Sequence, residues 1–82
     1  MLTMKIRVRL HATLRPYLPP LTEGNLLEVE LPAGATAGDV ARALGIPEGF
    51  AGVAFSGGEK REMHDALQPG EELDLFPPLA GG

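Results

Sequence analysis

Cysteine is absent from all 82 residues. Its absence excludes a disulfide scaffold, a Cys-ligated zinc site, an iron–sulfur cluster, a thiol nucleophile and a persulfide carried on the chain itself. A basic excess is missing too. Seven Lys and Arg stand against eleven Asp and Glu, for a formal net charge of −4, which argues against nucleic acid as a partner. No uncharged stretch approaches the ~18–20 apolar residues of a membrane span. The opening Met1-Leu2-Thr3-Met4-Lys5 lacks the apolar segment of a signal peptide, and Met1 and Met4 both stand as candidate starts. These absences predict a cytoplasmic protein with no membrane partner.

What is present suits one small domain, burying roughly 60–65% of the surface its unfolded chain exposes. Hydrophobic residues make up 44%, and 11 Gly and 8 Pro imply many turns and short elements. Residues 1–41 carry four basic and four acidic groups. Residues 42–82 carry three basic and seven acidic ones, so the whole excess lies in the second half. That is either a solvated acidic surface or a means of steering toward a basic partner groove.

Met4–Leu10 alternates, with Ile6, Val8 and Leu10 on one side and Lys5, Arg7 and Arg9 on the other, which predicts a half-buried strand. His11–Leu18 suits one or two helical turns, in which Pro16 would fit only near the start. Thr22-Glu23-Gly24-Asn25 reads as a turn. Leu26–Leu31 alternates again and can pair with the first strand as an antiparallel ribbon. Thr36 is a good N-cap, Asp39 a capping-box partner, and Ala37, Val40, Ala41 and Leu44 follow the i, i+3, i+4, i+7 stripe. Gly45 stands at C′ with Pro47 beyond. The main helix is therefore predicted over 37–44. Gly38 within it allows a close approach, but glycine there costs about 1 kcal/mol against alanine. Ala51–Phe55 reads as a strand with Val53 and Phe55 facing the core. Ser56-Gly57-Gly58-Glu59 is a tight turn, and Lys60–Met63 a short edge strand. Gln68-Pro69-Gly70-Glu71 fits a type II turn before a last strand over Glu72–Phe76. There Leu73 and Leu75 face the core, while Asp74 and Phe76 face away. The order predicts an α+β domain: a mixed sheet of four to five strands with one main helix packed on one face. A central parallel pairing of first and last strands would make it a β-grasp, though periodicity does not fix that pairing. The expected division is a globular domain over 1–76 and a flexible tail over 77–82.

Side-chain chemistry is sparse. His11 and His64 lie far apart in sequence, and three or four convergent metal ligands are not in view, so no metal is predicted. Ser56 lacks a base partner and is explained by its turn. Gly57-Gly58 opens no helix and is no phosphate loop. Glu71 and Glu72 face opposite sides of a strand, a poor acid–base pair. Lys5, Arg7 and Arg9 form either a solvated stripe or a docking surface.

The C-terminal Gly81-Gly82 follows a stiff apolar run, Leu75-Phe76-Pro77-Pro78-Leu79-Ala80. Taken alone, the pair is equally a frayed terminus. Yet a glycyl α-carboxylate is the least hindered acyl group a protein presents, and two glycines thread a channel that side chains would plug. Six extended residues from Pro77 to Gly82 reach roughly 20 Å. An ionised carboxylate is a poor electrophile and must first be activated, for example as an acyl-adenylate. Phe76, facing away from the helix side, would form with Leu79 an exposed apolar anchor for a partner, beside Pro77 and Pro78. Arg15 is a further docking candidate.

From Met4 to Gly82 the chain resembles the ubiquitin-like sulfur carriers of the MoaD/ThiS type, and within them the small subunit of molybdopterin synthase. The resemblance rests on His11-Ala12-Thr13-Leu14-Arg15, Thr36-Ala37-Gly38-Asp39-Val40, Leu67-Gln68-Pro69-Gly70-Glu71-Glu72-Leu73 and above all Phe76-Pro77-Pro78-Leu79-Ala80-Gly81-Gly82. It departs at His11, where the family often carries an aromatic residue. The resemblance implies a ubiquitin-like β-grasp fold. It also implies that a ubiquitin-activating-type adenylyltransferase uses ATP to adenylate the Gly82 carboxylate, and that a persulfide donor converts it to a thiocarboxylate. The Gly81-Gly82 end, led by Leu79 and Ala80, would then insert into the large synthase subunit and give up sulfur for the molybdopterin dithiolene. Such a carrier is the sulfur-donating half of a sulfurtransferase. It binds no cofactor and carries no catalytic side chains of its own. Related roles in tRNA thiolation, thiamine or cysteine synthesis, or protein modification through Gly82, stay open.

Overall fold

Alternation of charged and apolar side chains makes β1, Thr3–Leu10, in which Met4, Ile6, Val8 and Leu10 are buried and the residues between them face solvent. The computed structural model describes residues 2–19, 24, 26–47 and 49–78. β2, Leu26–Pro32, runs antiparallel to β1, with Ile6 opposite Val29 and Arg7 opposite Glu28. Most of the Thr22–Asn25 turn lies outside the described residues. Between the two strands a 3-10 helix, Ala12–Tyr17, buries Leu14. Pro16 stands near its end rather than its start, a correction to the sequence reading. In a helix this short, the missing proline N–H forfeits a single i→i+3 bond.

Helix α1, Ala37–Ala43, ends one residue before the expected boundary, with Leu44 as C-cap. Its capping box is complete. The Asp39 N–H donates to Thr36 Oγ1 at 3.1 Å, and the Thr36 N–H donates to Asp39 Oδ2 at 3.0 Å. Ala37, Val40 and Ala41 turn inward. The Gly38 N–H donates to the Met63 carbonyl at 2.7 Å, and a Cβ at 38 would stand 3.1 Å from that oxygen. The close approach explains a glycine in mid-helix. The chain beyond β4 is held along the start of α1 by this bond and by the Leu67 N–H donating to Ala35 O at 2.8 Å.

β3 is Val53–Ser56 and β4 Glu59–Arg61, a shorter edge strand than Lys60–Met63. Ser56 pairs with Glu59, leaving a two-residue turn in which Gly57 and Gly58 take φ of 60° and 85°. Both positive values match the turn that joins twisted strands, and glycine supplies them without strain. β5, Glu72–Phe76, fills the centre. The sheet order is β2-β1-β5-β3-β4, with β5 parallel to β1 and antiparallel to β3. First and last strands are thus the central parallel pair of a β-grasp. One face packs against α1, around Ile6, Val8, Leu10, Val40, Leu73 and Leu75, each at most 1% exposed. Full burial of side chains of this size contributes about 1.5–3 kcal/mol apiece.

The sequence reading of β3 is overturned in one respect. Ala54 and Ser56 face the core, and Val53 and Phe55 the opposite side. Ala54 stands opposite Leu75, and Val53 opposite Phe76. Pairing with β5 sets the phase, so the small side chain lies beneath the helix and the larger ones cover the outer face.

Candidate functional site

The outer face of the sheet carries two neighbouring groups of side chains. Toward β2 lies a ladder of charge: Lys5 Nζ is 4.0 Å from Glu28, Arg7 Nη1 3.6 Å from Glu72, and Arg9 Nη1 3.8 Å from Asp74 and 4.0 Å from Glu72. The basic stripe read from the sequence is therefore matched by carboxylates on both adjoining strands. These pairs are largely exposed, and each contributes little to stability.

Toward β3 the face becomes aromatic. The His11 ring stacks on Phe76 at a centroid distance of 4.3 Å and an interplanar angle of 7°, and Phe55 meets Phe76 edge-on at 5.8 Å. His11 Nε2 lies 2.9 Å from Asp74 Oδ1 and donates to it, and the His11 N–H extends the parallel ladder to Leu75 O at 3.1 Å. A stacked, hydrogen-bonded imidazole thus fills the place where an aromatic residue was anticipated. Phe76 is half-buried by these neighbours, not the freely exposed anchor that alternation suggested. Strand phase gives the side a residue faces, but not what its neighbours lay over it. Sequence reasoning missed His11 and Phe55 as parts of this cluster. Phe55 becomes visible there only through the register of β3 with β5.

Pro77 is half-buried, and Pro78 is exposed against Gly52. Arg15 lies exposed on the 3-10 helix, which packs against the ends of β1 and β5, and makes no ion pair among the described residues. Leu79, Ala80, Gly81 and Gly82, which carry the predicted threading and acyl chemistry, lie outside the described residues.

A separate polar group sits at the edge of the core. Glu71, whose side chain is 9% exposed, accepts the Gln68 N–H at 2.7 Å and lies 3.0 Å from Arg61 Nη2 at ion-pair distance. Burial pushes its carboxyl up, but the Ser56 hydroxyl, the Gln68 amide and the Arg61 charge outweigh it and hold the carboxyl below its ordinary value. Asp39 is likewise lowered, by the Thr36 amide and then by Arg42. Glu71 ties β3 and β4 to the turn before β5, a structural duty that neither Ser56 nor the Glu71-Glu72 pair betrays in sequence. Two shallow clefts of about 290 and 380 Å³ flank α1, and no residue of β5 lines either. Among the described residues, no group of three His, Asp or Glu side chains could hold a metal, and no helix is long and apolar enough to cross a membrane.

A five-stranded sheet with a central parallel pair, one capped helix and a Pro-Pro exit from the last strand defines a ubiquitin-like β-grasp domain. No protein-family model and no curated protein sequence matches the chain. Solved structures do. The chain is similar to the HVO 2177 protein of Haloferax volcanii, at 27% identity and a TM-score of 0.73, over 98% of this chain and 88% of that one. It is similar to SAMP1, small archaeal modifier protein 1, from the same organism, at 26% identity and a TM-score of 0.66, over 95% and 99% of the two chains. A Pyrococcus furiosus protein, named as a proposed molybdopterin converting factor, subunit 1, aligns at 24% identity with a TM-score of 0.65 over 93% and 99%. These neighbours share the ubiquitin-like β-grasp fold.

Proposed function

We propose that this chain is a cytoplasmic sulfur carrier that works through the carboxylate of Gly82 and serves as the small subunit of a molybdopterin synthase. One observation carries the reading: the last strand is a central strand, and the chain leaves it through Pro77-Pro78 toward Leu79-Ala80-Gly81-Gly82. Structural likeness to SAMP1 and to the Pyrococcus protein supports it. A rigid body thus presents a short acyl arm, and the reactive group lies on the arm.

In this reading a Gly82 carboxylate oxygen attacks the α-phosphorus of ATP in a ubiquitin-activating-type partner, and pyrophosphate leaves. A persulfide sulfur attacks the acyl carbon of the adenylate, and AMP leaves. A thiol then reduces the resulting acyl disulfide and frees the thiocarboxylate. The carrier docks on the large synthase subunit through the Phe76, Pro77 and Pro78 end of the outer face, with Arg15 beside it. Leu79, Ala80 and Gly81 thread the partner's channel, the thiocarboxylate sulfur attacks the dithiolene precursor, and water cleaves the acyl–sulfur bond to return the Gly82 carboxylate. This chain's own residues present, aim and release the acyl group. ATP binding and acid–base work belong to the partners.

A second reading follows from the name of SAMP1, a modifier protein: Gly82 joined to target lysines. Intact mass of the chain purified from its own host separates the two. A free protein about 16 Da heavier, sulfur replacing oxygen, supports the carrier. Gly82 recovered only in isopeptide linkage supports the modifier and overturns the carrier.

A further inference from the structure

Seven of the nine described glycines have positive φ, and the other two are Gly38 and Gly52. Gly38 is explained by the Met63 carbonyl. Gly52 is exposed, lies just before β3, and needs no left-handed backbone. Sterically it has one reason to be glycine. A Cβ at position 52 would stand 2.8 Å from Pro78 Cβ, 3.0 Å from Pro78 Cα and 3.3 Å from Pro78 N. The first distance is shorter than non-bonded carbons tolerate, and the other two involve backbone, so no side-chain rotation relieves them.

The same residue also grips the strand that leads to Pro78. The Gly52 N–H donates to the Phe76 carbonyl at 3.1 Å, one bond beyond the Val53–Phe76 pairing. Gly52 therefore fixes the chain on one side of Pro77 by hydrogen bond and on the other by contact. Proline at both 77 and 78 removes two N–H donors and restricts φ at each to near −65°, so the direction of the exit is held as far as Pro78.

We propose that Gly52 is a positioning residue: a side-chain-free seat for Pro78 that sets the direction in which the acyl arm leaves the body. This inference rests on the carrier reading for its consequence, but not for its geometry. On that reading, a displacement of about 1 Å at a reacting atom can cost on the order of 100-fold in rate.

The test uses the full chain with Gly52→Ala, and a second variant, Gly52→Val, whose larger side chain meets the same Pro78 atoms. Purified wild-type protein should show nuclear Overhauser contacts between Gly52 Hα and the Pro78 ring. Gly52→Ala should lose them, shift the amide signals of Leu79–Gly82, and keep the melting temperature. In the native host its thiocarboxylated fraction should fall at least about tenfold, and Gly52→Val should lower it at least as far. Three results would overturn the seat: no Gly52–Pro78 contact in the wild type, wild-type loading in Gly52→Ala, or a loss of loading that merely follows a loss of thermal stability. If the wild type never carries sulfur, the carrier reading fails, and the magnetic resonance result still decides the seat.

Discussion

Glu71 shows how one side chain closes the weak corner of a small domain. Its carboxylate is nearly buried, accepts the Gln68 amide, and faces Arg61. With its pKa below the ordinary 4.5, the folded state binds the proton less readily than the unfolded chain. That stabilisation is present above the unfolded value and is lost as pH falls through the folded one. Glu71→Gln keeps an acceptor for Gln68 but removes the charge facing Arg61. The cost at pH 7 should be about 1–2 kcal/mol. It should shrink as pH falls below 4.5, where the unfolded chain takes up the proton first and the folded carboxylate follows at lower pH. Urea denaturation of both proteins at pH 7 and at pH 3 measures it, and equal costs at the two pH values would show that the charge is not what matters. Nothing in the local sequence announces this contact, because it joins residues from three separate turns and strands.

Strands and helix differ in how fully their sequences declare them. Helix α1 was legible to within a residue, because its cap, box and stripe are all local. β1, β2 and β5 were legible in phase, because each alternates large apolar with charged residues. β3 was not. In Val53-Ala54-Phe55-Ser56 both phases are plausible, and bulk favours the wrong one. The register with β5 decided it, and register is a long-range property. Burial order makes the inversion measurable. Ala54 is fully buried opposite Leu75, so Ala54→Leu should overpack the core and cost about 1–3 kcal/mol. Phe55→Leu, on the half-exposed outer face, should cost under about 1.5 kcal/mol. Thermal or urea unfolding of the pair checks this, and the reverse ranking would restore Phe55 to the core. The outer aromatic cluster shares the same history. His11 and Phe55 join Phe76 only once β3 is seen beside β5, so the tail motif was readable and its surroundings were not.

At the scale of the whole molecule, the carrier reading gives the body and the acyl end separate duties. The buried cluster runs from Met4 to Leu75, and the strand that ends it is held on both sides by β1 and β3. Among the described residues this core closes at Leu75, seven positions before Gly82. One alanine appended after Gly82 would move the α-carboxylate onto a residue with a Cβ and lengthen the chain by about 3.3–3.6 Å. Melting temperature should match the wild type within measurement error, because exposed additions that touch nothing buried shift stability by under about 0.5 kcal/mol. Sulfur loading in the host should vanish, because the activating partner must place a carboxylate at a fixed depth from a body docked outside it. Intact mass and differential scanning calorimetry on the same preparation give both readouts. An extended chain that still gains sulfur would place the acceptor elsewhere, and one that loads nothing but also melts early would show that the end supports the fold.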